Sequence, residues 1–367
     1  MTVVDAPPRR QHAVFHRLRV ATVEPLTDDS VAITFDVPPE LRDDYAFLPG
    51  QHLTVRMPGE AGDVRRNYSI CSSARADQLR IAVKRLEGGV FSAWATSTLR
   101  PGDELDVMTP TGRFTVALDP AQRKRYVAIA AGSGITPVMS LASTILEVEL
   151  HSSVSLIYAN RTTNSIMFLE ELLDLKNLYP QRFEIVNVLS REAQDVEILS
   201  GRLDRERLSM LLDALIPVDS VDEWFLCGPY ELVQTARTTL LEHGVDRRHV
   251  HVELFHVEGT APRPASTVTR EEHGEGSEVT VMLDGRSTTF SLAHDAESVL
   301  DATLKQRPDA PFACKGGVCG TCRAKLVEGE VDMDRNFALE QDELDSGFVL
   351  ACQSHPRSAR AVLDFDQ

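Results

Sequence analysis

Three cysteines crowd the loop Cys314-Lys-Gly-Gly-Val-Cys319-Gly-Thr-Cys322, and Cys352 stands alone further along the chain. The spacing C-x4-C-x2-C with a distant fourth cysteine is typical of a loop that binds a [2Fe–2S] cluster. Two irons bridged by two sulfides need four thiolates around a compact core, so a loop must wrap the core and one ligand must come from elsewhere. The three glycines of the loop let its backbone approach the sulfurs and direct N–H groups at them. We therefore predict a one-electron [2Fe–2S] site.

A structural zinc site is the alternative for four cysteines. Zinc sites usually pair their cysteines in two C-x2–4-C knuckles, whereas three of the ligands here share one loop. The spacing therefore favours iron and sulfide over zinc. Such a cluster has a reduction potential of about −400 mV, so the rest of the chain has to supply a strong reductant.

Two turns have the composition of a dinucleotide site. GSGITP (132–137) follows the apolar run YVAIAA (126–131) and opens a helix, whose N-terminus can face a phosphate. CGP (227–229) ends a later run, where ligands bind in open α/β sheets. Arg161 and Arg191 also follow strand-like runs and could reach a 2′-phosphate. Each feature alone is equally typical of an ordinary corner or a solvated surface charge.

A third motif, Arg66-Asn-Tyr68-Ser69, lies in a strand-like segment of the N-terminal part. The tyrosine can stack on an isoalloxazine ring, the serine can hydrogen-bond the ring, and the arginine can pair with a pyrophosphate. Lys84 and the glycine turn at 88–92, which begins a helix, form a second candidate anion site. A half-exposed strand of ordinary β formers and a common glycine turn are the alternatives.

The elements that carry these motifs change in character along the chain. Residues 12–118 hold short alternating runs broken by proline–glycine turns, which predicts an antiparallel β-barrel. Residues 119–256 alternate buried strands with helices, which predicts an α/β parallel sheet with helices on both faces. Residues 257–277 are rich in Pro, Gly, Ser, Thr and charge and read as a flexible linker. Residues 278–367 hold a hairpin with an Asp-Gly turn, a helix and the cysteine loop.

Composition limits the partners. The 367 residues carry a net charge of −17, which argues against nucleic acid, and residues 278–367 hold 16 acidic against 9 basic side chains. This acidity serves solubility or a protein partner with a basic surface. No apolar run of about 18 residues predicts a membrane span. The beginning of the chain does not resemble a secretory signal, and the cysteines do not form a disulfide framework, so we expect a cytoplasmic location.

The order Arg-x-Tyr-Ser, Gly-x-x-Ser, GSGITP and CGP resembles the ferredoxin–NADP⁺ reductase superfamily. With the C-terminal cysteine loop, the chain is similar to the reductase components of bacterial multicomponent oxygenases. Within that group it looks most like the reductase subunits of phenylacetyl-CoA epoxidases, although steroid-hydroxylase reductases share much of the framework. The stretches that carry this likeness include PGQHLTV (49–55), AIAAGSGITPVMS (128–140), PFACKGGVCGTC (311–322) and the ending VLDFD.

This resemblance implies a multidomain fold, with a β-barrel flavin domain, an α/β nucleotide domain and an α+β β-grasp ferredoxin domain. It places the hydride-transfer site at Ser69, Thr136 and Cys227. The FAD site is expected to comprise Arg66, Tyr68, Ser69, Lys84, Gly89, Val90, Phe91 and Ser92. The nucleotide site is expected to comprise Gly132, Gly134, Thr136, Arg161, Ser190, Arg191, Cys227, Gly228 and Pro229. Phe255 would take the place of the C-terminal aromatic residue of simpler reductases.

The expected function follows from the combination. The chain would take a hydride from NADPH, with NADH left open, and pass single electrons through FAD and the cluster to an oxygenase, a multi-subunit di-iron epoxidase. A Rieske-type or 3-ketosteroid 9α-hydroxylase is the alternative partner. A redox sensor without turnover is a second class of function, which a complete hydride site disfavours.

Overall fold

The structure is a computed structural model that describes residues 13–58, 63–255, 276–294 and 296–367. Within this part the chain divides into two compact units, the first holding residues 15–64 and 68–255, the second 276–367 with the short segments 13–14 and 65–67. The predicted linker at 257–277 lies outside the described residues up to residue 275. No helix in the described ranges is long and apolar enough to cross a membrane.

A six-stranded antiparallel sheet opens the first unit. Its strands are β1 (Phe15–Thr27), β2 (Ser30–Asp36), β3 (His52–Met57), β4 (Val64–Ser69), β5 (Leu79–Lys84) and β6 (Glu104–Met108), in the order β4-β3-β6-β1-β2-β5. A bridge between Ile70 and Ile81 joins the end of β4 to β5, so the two edge strands meet and the sheet closes. Helix α1 (Val90–Ser97) packs against β5 and β2. The predicted antiparallel barrel is confirmed.

A five-stranded parallel sheet follows in the same unit. Its strands are β7 (Arg125–Ala131), β8 (Ser153–Asn160), β9 (Phe183–Leu189), β10 (Glu223–Gly228) and β11 (Val250–Leu254), in the order β11-β10-β7-β8-β9. The helices between them are α2 (Ile135–Val148), α3 (Leu169–Leu178), α4 (Arg205–Leu215) and α5 (Tyr230–Glu242). The strand order reverses between β7 and β10, and ligands bind at such a switch point in open α/β sheets. GSGITP follows β7, and CGP lies at the end of β10, as the sequence predicts.

The second unit is a small mixed sheet with one main helix. Its strands are β12 (Gly276–Leu283), β13 (Arg286–Ala293), β14 (Arg323–Glu328), β15 (Val331–Met333), β16 (Phe348–Leu350), β17 (Ser354–Pro356) and β18 (Arg360–Asp364). The order is β13-β12-β18-β14-β16, with β15 and β17 as a separate pair and β12 parallel to β18. The helices are α6 (Val299–Gln306) and α7 (Gln341–Asp345). Asp284 and Gly285 turn the predicted hairpin with φ of 58° and 64°. This is the expected β-grasp arrangement.

The two sheets of the first unit share apolar packing. The core of the parallel sheet includes four buried residues from the barrel part of the chain, namely Cys71, Ala82, Phe114 and Leu118. Burying apolar side chains from both parts in one core stabilises their association. This explains why two predicted domains form one compact unit.

Arg80 of β5 adds a polar link between the same two parts. Its guanidinium donates to both carboxylate oxygens of Glu171 on α3, at 2.8 and 3.0 Å, and to Glu24 at 3.3 Å. The Arg80 side chain is only 11% exposed, so this forked pair is partly shielded from water. It fixes α3 against the barrel strand.

We expect the change Arg80→Met to lower the free energy of unfolding of the first unit by about 2 kcal/mol, the usual scale for hydrogen bonds to a charged group. Urea unfolding followed by flavin fluorescence measures this. The change Arg75→Met, at an exposed arginine of the neighbouring loop, is the matched control and should leave the midpoint unchanged. Equal midpoints for the two variants would contradict the assigned role of Arg80.

Candidate redox site

The GSG and CGP turns touch at the switch point of the parallel sheet. A Cβ added to Gly134 would lie 2.2 Å from the carbonyl oxygen of Cys227 and 2.8 Å from the backbone nitrogen of Gly228. No side chain fits there, because real Cβ atoms do not approach backbone so closely. Gly132 has a φ of 53° and no heavy atom within 4 Å of its Cβ position, which leaves space above the turn. The two turns thus form one floor at the carboxyl ends of β7 and β10.

Polar groups around this floor fit a nucleotide. The Tyr158 hydroxyl donates to the carbonyl oxygen of Gly132 at 2.9 Å, and the Thr136 hydroxyl donates to the carbonyl of Ser133 at 3.0 Å in the first turn of α2. The side chain of Asn160, buried at the end of β8, hydrogen-bonds the Tyr158 hydroxyl. Hydroxyl groups at the turn before a helix N-terminus suit a phosphate or ribose oxygen.

The predicted phosphate-reading residues lie together at the ends of β8 and β9. The backbone N–H of Ser190 donates to the carbonyl of Asn160 at 2.9 Å, and that of Arg191 donates to the carbonyl of Arg161 at 2.8 Å. The parallel pairing therefore continues past the strands and brings both exposed arginines to one edge. Glu192 is held back, because its carboxylate accepts the Thr163 N–H and hydroxyl, and these bonds lower its pKa.

Two further predicted residues border the same sheet. Pro229 caps the N-terminus of α5, directly after the end of β10. Phe255 follows β11 and is 38% exposed, so its ring is available to a ligand.

A buried polar cluster joins the flavin motif to the nucleotide sheet. The hydroxyl of Ser69 donates to Oε2 of Glu253 at 3.2 Å, and Glu253 pairs with Cys227 across β10 and β11. Burial raises the pKa of the Cys227 thiol well above its usual range, and the negative charge of Glu253 adds to the effect. Nδ1 of His52 lies 3.7 Å from Oε1 of Glu253. Ser69 and Cys227, predicted from separate motifs, are thus brought to one place.

Glu253 and His52 are residues of this cluster that the motifs did not reveal. Glu253 occupies a partly buried position of β11, two residues before Phe255, and its local sequence is that of an ordinary strand residue. His52 directly follows the proline–glycine turn at 49–50 and begins β3. His52, Ser69 and Glu253 belong to three different strands, β3, β4 and β11. Only the fold shows that they meet.

A cleft of about 520 Å³ lies at the start of α1. It is lined by Asp29, Arg85, Leu86, Glu87, Gly88, Gly89, Val90 and Ala93. A Cβ at Gly89 would lie 2.4 Å from the Ser92 hydroxyl oxygen, which itself accepts the N–H of Leu86 at 3.1 Å. This glycine therefore keeps the turn tight at the helix N-terminus. The room, the arginine and the helix end fit a pyrophosphate.

The other predicted flavin residues belong to the neighbouring strands. The ring of Tyr68 lies 5.3 Å from that of Phe91 on α1, so its position is fixed by packing. Lys84 is paired with Asp29, a residue of the cleft wall, at 3.0 Å. Arg66 is exposed on β4, and its guanidinium donates to the backbone carbonyl of Arg65 at 2.7 Å. An aromatic face and nearby cations fit a flavin dinucleotide.

The four cysteines of the second unit approach each other as two pairs. Cys319 hydrogen-bonds Cys314, and this bond, with N–H groups of the loop, lowers the pKa of Cys314 to about 5. Cys322 pairs with Cys352 in the same way and lowers its pKa. The N–H of Gly316 donates to Sγ of Cys314 at 3.3 Å. Two thiols for each of two irons is the ligand set that a [2Fe–2S] cluster requires.

The loop backbone adopts the unusual conformation that this wrapping needs. Lys315, Gly317 and Gly320 have φ of 51°, 77° and 66°, a region that favours glycine. The two thiol pairs and this loop conformation fit the predicted cluster.

Family models match three parts of the chain. They are an oxidoreductase FAD-binding domain at residues 17–116, an oxidoreductase NAD-binding domain at 128–238 and a 2Fe-2S iron-sulfur cluster binding domain at 281–357.

Relatives and a solved structure cover nearly the whole chain. One component of the 1,2-phenylacetyl-CoA epoxidase from Escherichia coli (strain K12) is 44% identical over 96% of this chain and 98% of its own. The ferredoxin reductase component of 3-ketosteroid-9-alpha-monooxygenase from Rhodococcus rhodochrous is 33% identical over 100% of both chains. Phthalate dioxygenase reductase, a modular structure for electron transfer from pyridine nucleotides to [2Fe–2S], matches with a TM-score of 0.58 and 26% identity over 96% and 98% of the two chains.

The contact between the two turns generates a sharp test. We expect the change Gly134→Ala to push the Cys227–Gly228 peptide away and to weaken binding of the nicotinamide nucleotide at least tenfold, about 1.4 kcal/mol, with Gly134→Ser weaker still. Calorimetric titration measures the binding. Flavin content and the thermal midpoint are the controls and should stay near those of the parent. A Gly134→Ala protein that folds normally and binds the nicotinamide nucleotide as tightly as the parent would contradict this role of the glycine.

Proposed function

The chain belongs to the family of flavin- and [2Fe–2S]-containing reductase components of multicomponent oxygenases, and from this premise we propose that it delivers electrons from NADPH to a phenylacetyl-CoA epoxidase. It is an oxidoreductase that moves electrons from a nicotinamide nucleotide through FAD and a [2Fe–2S] cluster to an oxygenase. The proposed parts are the choice of nucleotide, the residues of each site and the identity of the oxygenase.

One observation carries the proposed hydride step. The hydrogen bond from Ser69 to Glu253, with Cys227 paired beside Glu253, joins the flavin strand to the nucleotide sheet. FAD, when bound, would supply the conversion of a two-electron hydride into single electrons, which a one-electron cluster requires. Ser69 supplies a hydroxyl at this junction, and Thr136 shapes the first turn of α2 that faces the nucleotide. Cys227, whose thiol stays protonated, fills the floor without adding charge.

The remaining predicted residues are proposed ligands of three groups. Arg66, Tyr68, Ser69, Lys84 and the turn at 89–92 would hold FAD, and the three loop cysteines together with Cys352 would hold the cluster. Gly132, Gly134, Gly228, Pro229 and Phe255 would border the nucleotide. The proposed domain limits are residues 12–118, 119–256 and 278–367, with 257–277 as linker. The family-model matches lie inside these limits and support them.

NADPH is the proposed donor because two exposed arginines, Arg161 and Arg191, lie at one edge while Glu192 is tied to Thr163. A carboxylate that accepts two hydrogen bonds from Thr163 is already engaged, so the arginines remain available to a dianionic 2′-phosphate. The adjacent Ser190 can add a hydroxyl donor.

We expect Arg161→Ala and Arg191→Ala each to raise the KM for NADPH about tenfold and to leave the KM for NADH unchanged, because only NADPH carries the 2′-phosphate. Steady-state ferricyanide reduction measures both constants. Arg202→Ala, at an exposed arginine of the same part of the chain, is the matched control. Equal losses with NADH and NADPH would show that these arginines do not read the phosphate.

The partner is proposed to be a multi-subunit di-iron epoxidase that acts on phenylacetyl-CoA. The 44% identical relative supports this choice, and the steroid-oxygenase reductase at 33% identity defines the alternative. The acidic excess of residues 278–367 suits docking on a basic surface of the partner, so coupling should weaken as salt rises.

Reconstitution tests the proposed function. The purified chain should drive consumption of phenylacetyl-CoA by its epoxidase with NADPH, and should drive a 3-ketosteroid oxygenase at least about a hundredfold more slowly, a difference of about 2.7 kcal/mol. The change Cys319→Ser should abolish electron transfer to the epoxidase and preserve ferricyanide reduction, because it removes a ligand of the cluster and leaves the flavin and nucleotide sites intact. Ser287→Ala, at an exposed serine of β13 in the same unit, is the control. Faster turnover of the steroid oxygenase would overturn the choice of partner.

A further inference from the structure

The residue after the fourth cysteine has a role that neither the motif nor the family assignment provides. Gln353 is only 7% exposed, and its side chain turns back on the cysteine loop. Its amide nitrogen Nε2 lies 3.0 Å from the carbonyl oxygen of Lys315, 2.9 Å from the carbonyl oxygen of Cys352 and 3.4 Å from Sγ of Cys352. One amide thus contacts a ligand sulfur, the ligand's own backbone and the opposite loop.

We propose that the side-chain amide of Gln353 is a positioning residue for the [2Fe–2S] cluster, which donates a hydrogen bond to Sγ of Cys352 and raises the cluster's reduction potential. The proposal rests on the function proposed above, in which Cys352 is a cluster ligand. Gln353 would then help to determine how readily the cluster accepts an electron.

The physical basis is the charge that reduction adds. A reduced cluster carries one more negative charge than an oxidised one, and part of it resides on the thiolate sulfurs. An N–H aimed at sulfur stabilises that charge more in the reduced state than in the oxidised state, so each donor shifts the potential upward. Backbone N–H groups such as that of Gly316 do this within the loop. Cys352 lies outside the loop, and it receives the backbone N–H of Gly317 and, in addition, the side-chain amide of Gln353.

The surrounding packing holds the amide in this place. Lys315 has a φ of 51°, and the bond from Gln353 to its carbonyl ties this constrained turn to the segment between β16 and β17 that bears Cys352. A Cβ at Gly317 would lie 3.2 Å from Cγ of Gln353, so a glycine there leaves room for the side chain to cross. The amide has two N–H groups for its three acceptors, and the carbonyls and the sulfur share them.

The test is a redox titration of the whole chain, monitored by electron paramagnetic resonance. Gln353→Met keeps the length of the side chain and removes both N–H groups. The cluster should then be about tenfold harder to reduce, which equals a fall of about 59 mV for a one-electron couple. Gln341→Met makes the same chemical change on the exposed helix α7 and should leave the potential unchanged.

The outcomes distinguish an effect of Gln353 on the reduction potential from an effect on the stability of the cluster alone. An intact cluster with an unchanged potential in Gln353→Met overturns the proposal, and so does faster cluster loss without a shift in potential. A parent protein that contains no iron and sulfide would instead overturn the ligand set on which the proposal rests.

A second measurement needs no variant and covers the case in which Gln353→Met does not assemble. The parent chain is labelled with ¹⁵N only at glutamine side-chain amides and reduced, and the cluster signal is examined by pulsed resonance. Among the described residues, Gln353 is the glutamine that contacts a ligand cysteine. A ¹⁵N coupling to the cluster is expected, and its absence overturns the proposal.

Discussion

The contact between Gly134 and the Cys227–Gly228 peptide is the constraint on which the site depends. Because no side chain fits at Gly134, the turn after β7 can rest directly on the end of β10. That contact forms the floor at the switch point and fixes the position of the Cys227 backbone relative to the turn after β7. Glu253 follows from the same arrangement, since it pairs with Cys227 on β11, and Ser69 of the barrel reaches Glu253. The flavin motif and the nucleotide motif therefore meet through one close approach of backbones.

The packing of the first unit supports this arrangement. Apolar residues of the barrel part enter the core of the parallel sheet, and Arg80 holds α3 from the barrel side. A hydride moves only over a short distance between well-oriented atoms. A shared core and a forked ion pair therefore serve the reaction by limiting movement between the two sheets.

The second unit handles a different constraint, which is the charge of a reduced cluster. Its loop accepts positive φ at Lys315 so that backbone N–H groups can approach sulfur. The fourth thiolate lies in the segment between β16 and β17, where the backbone N–H of Gly317 and the side-chain amide of Gln353 both donate to it. This part of the chain also carries an acidic excess, with 16 acidic against 9 basic side chains in residues 278–367.

Local signals in the sequence predict most of these features. The spacing of the loop cysteines, the strand–turn–helix at 126–137 and the Asp284-Gly285 turn are short-range patterns, and the fold reproduces the elements expected from them. Contacts between distant segments have no short-range sequence pattern that predicts them. Glu253 and His52 have the sequence context of ordinary strand residues, and only the strand order brings them to Ser69. Gln353 also gives no signal, because its meaning depends on where the loop around Lys315 folds back.

The central claim is that one chain joins hydride acceptance to one-electron delivery. Anaerobic stopped-flow mixing with NADPH tests it most directly, with the flavin and cluster absorptions followed together. The flavin bands should bleach first, and the cluster bands should then bleach in the same chain at a rate independent of protein concentration. A flavin that bleaches while the cluster spectrum never changes would contradict the claim.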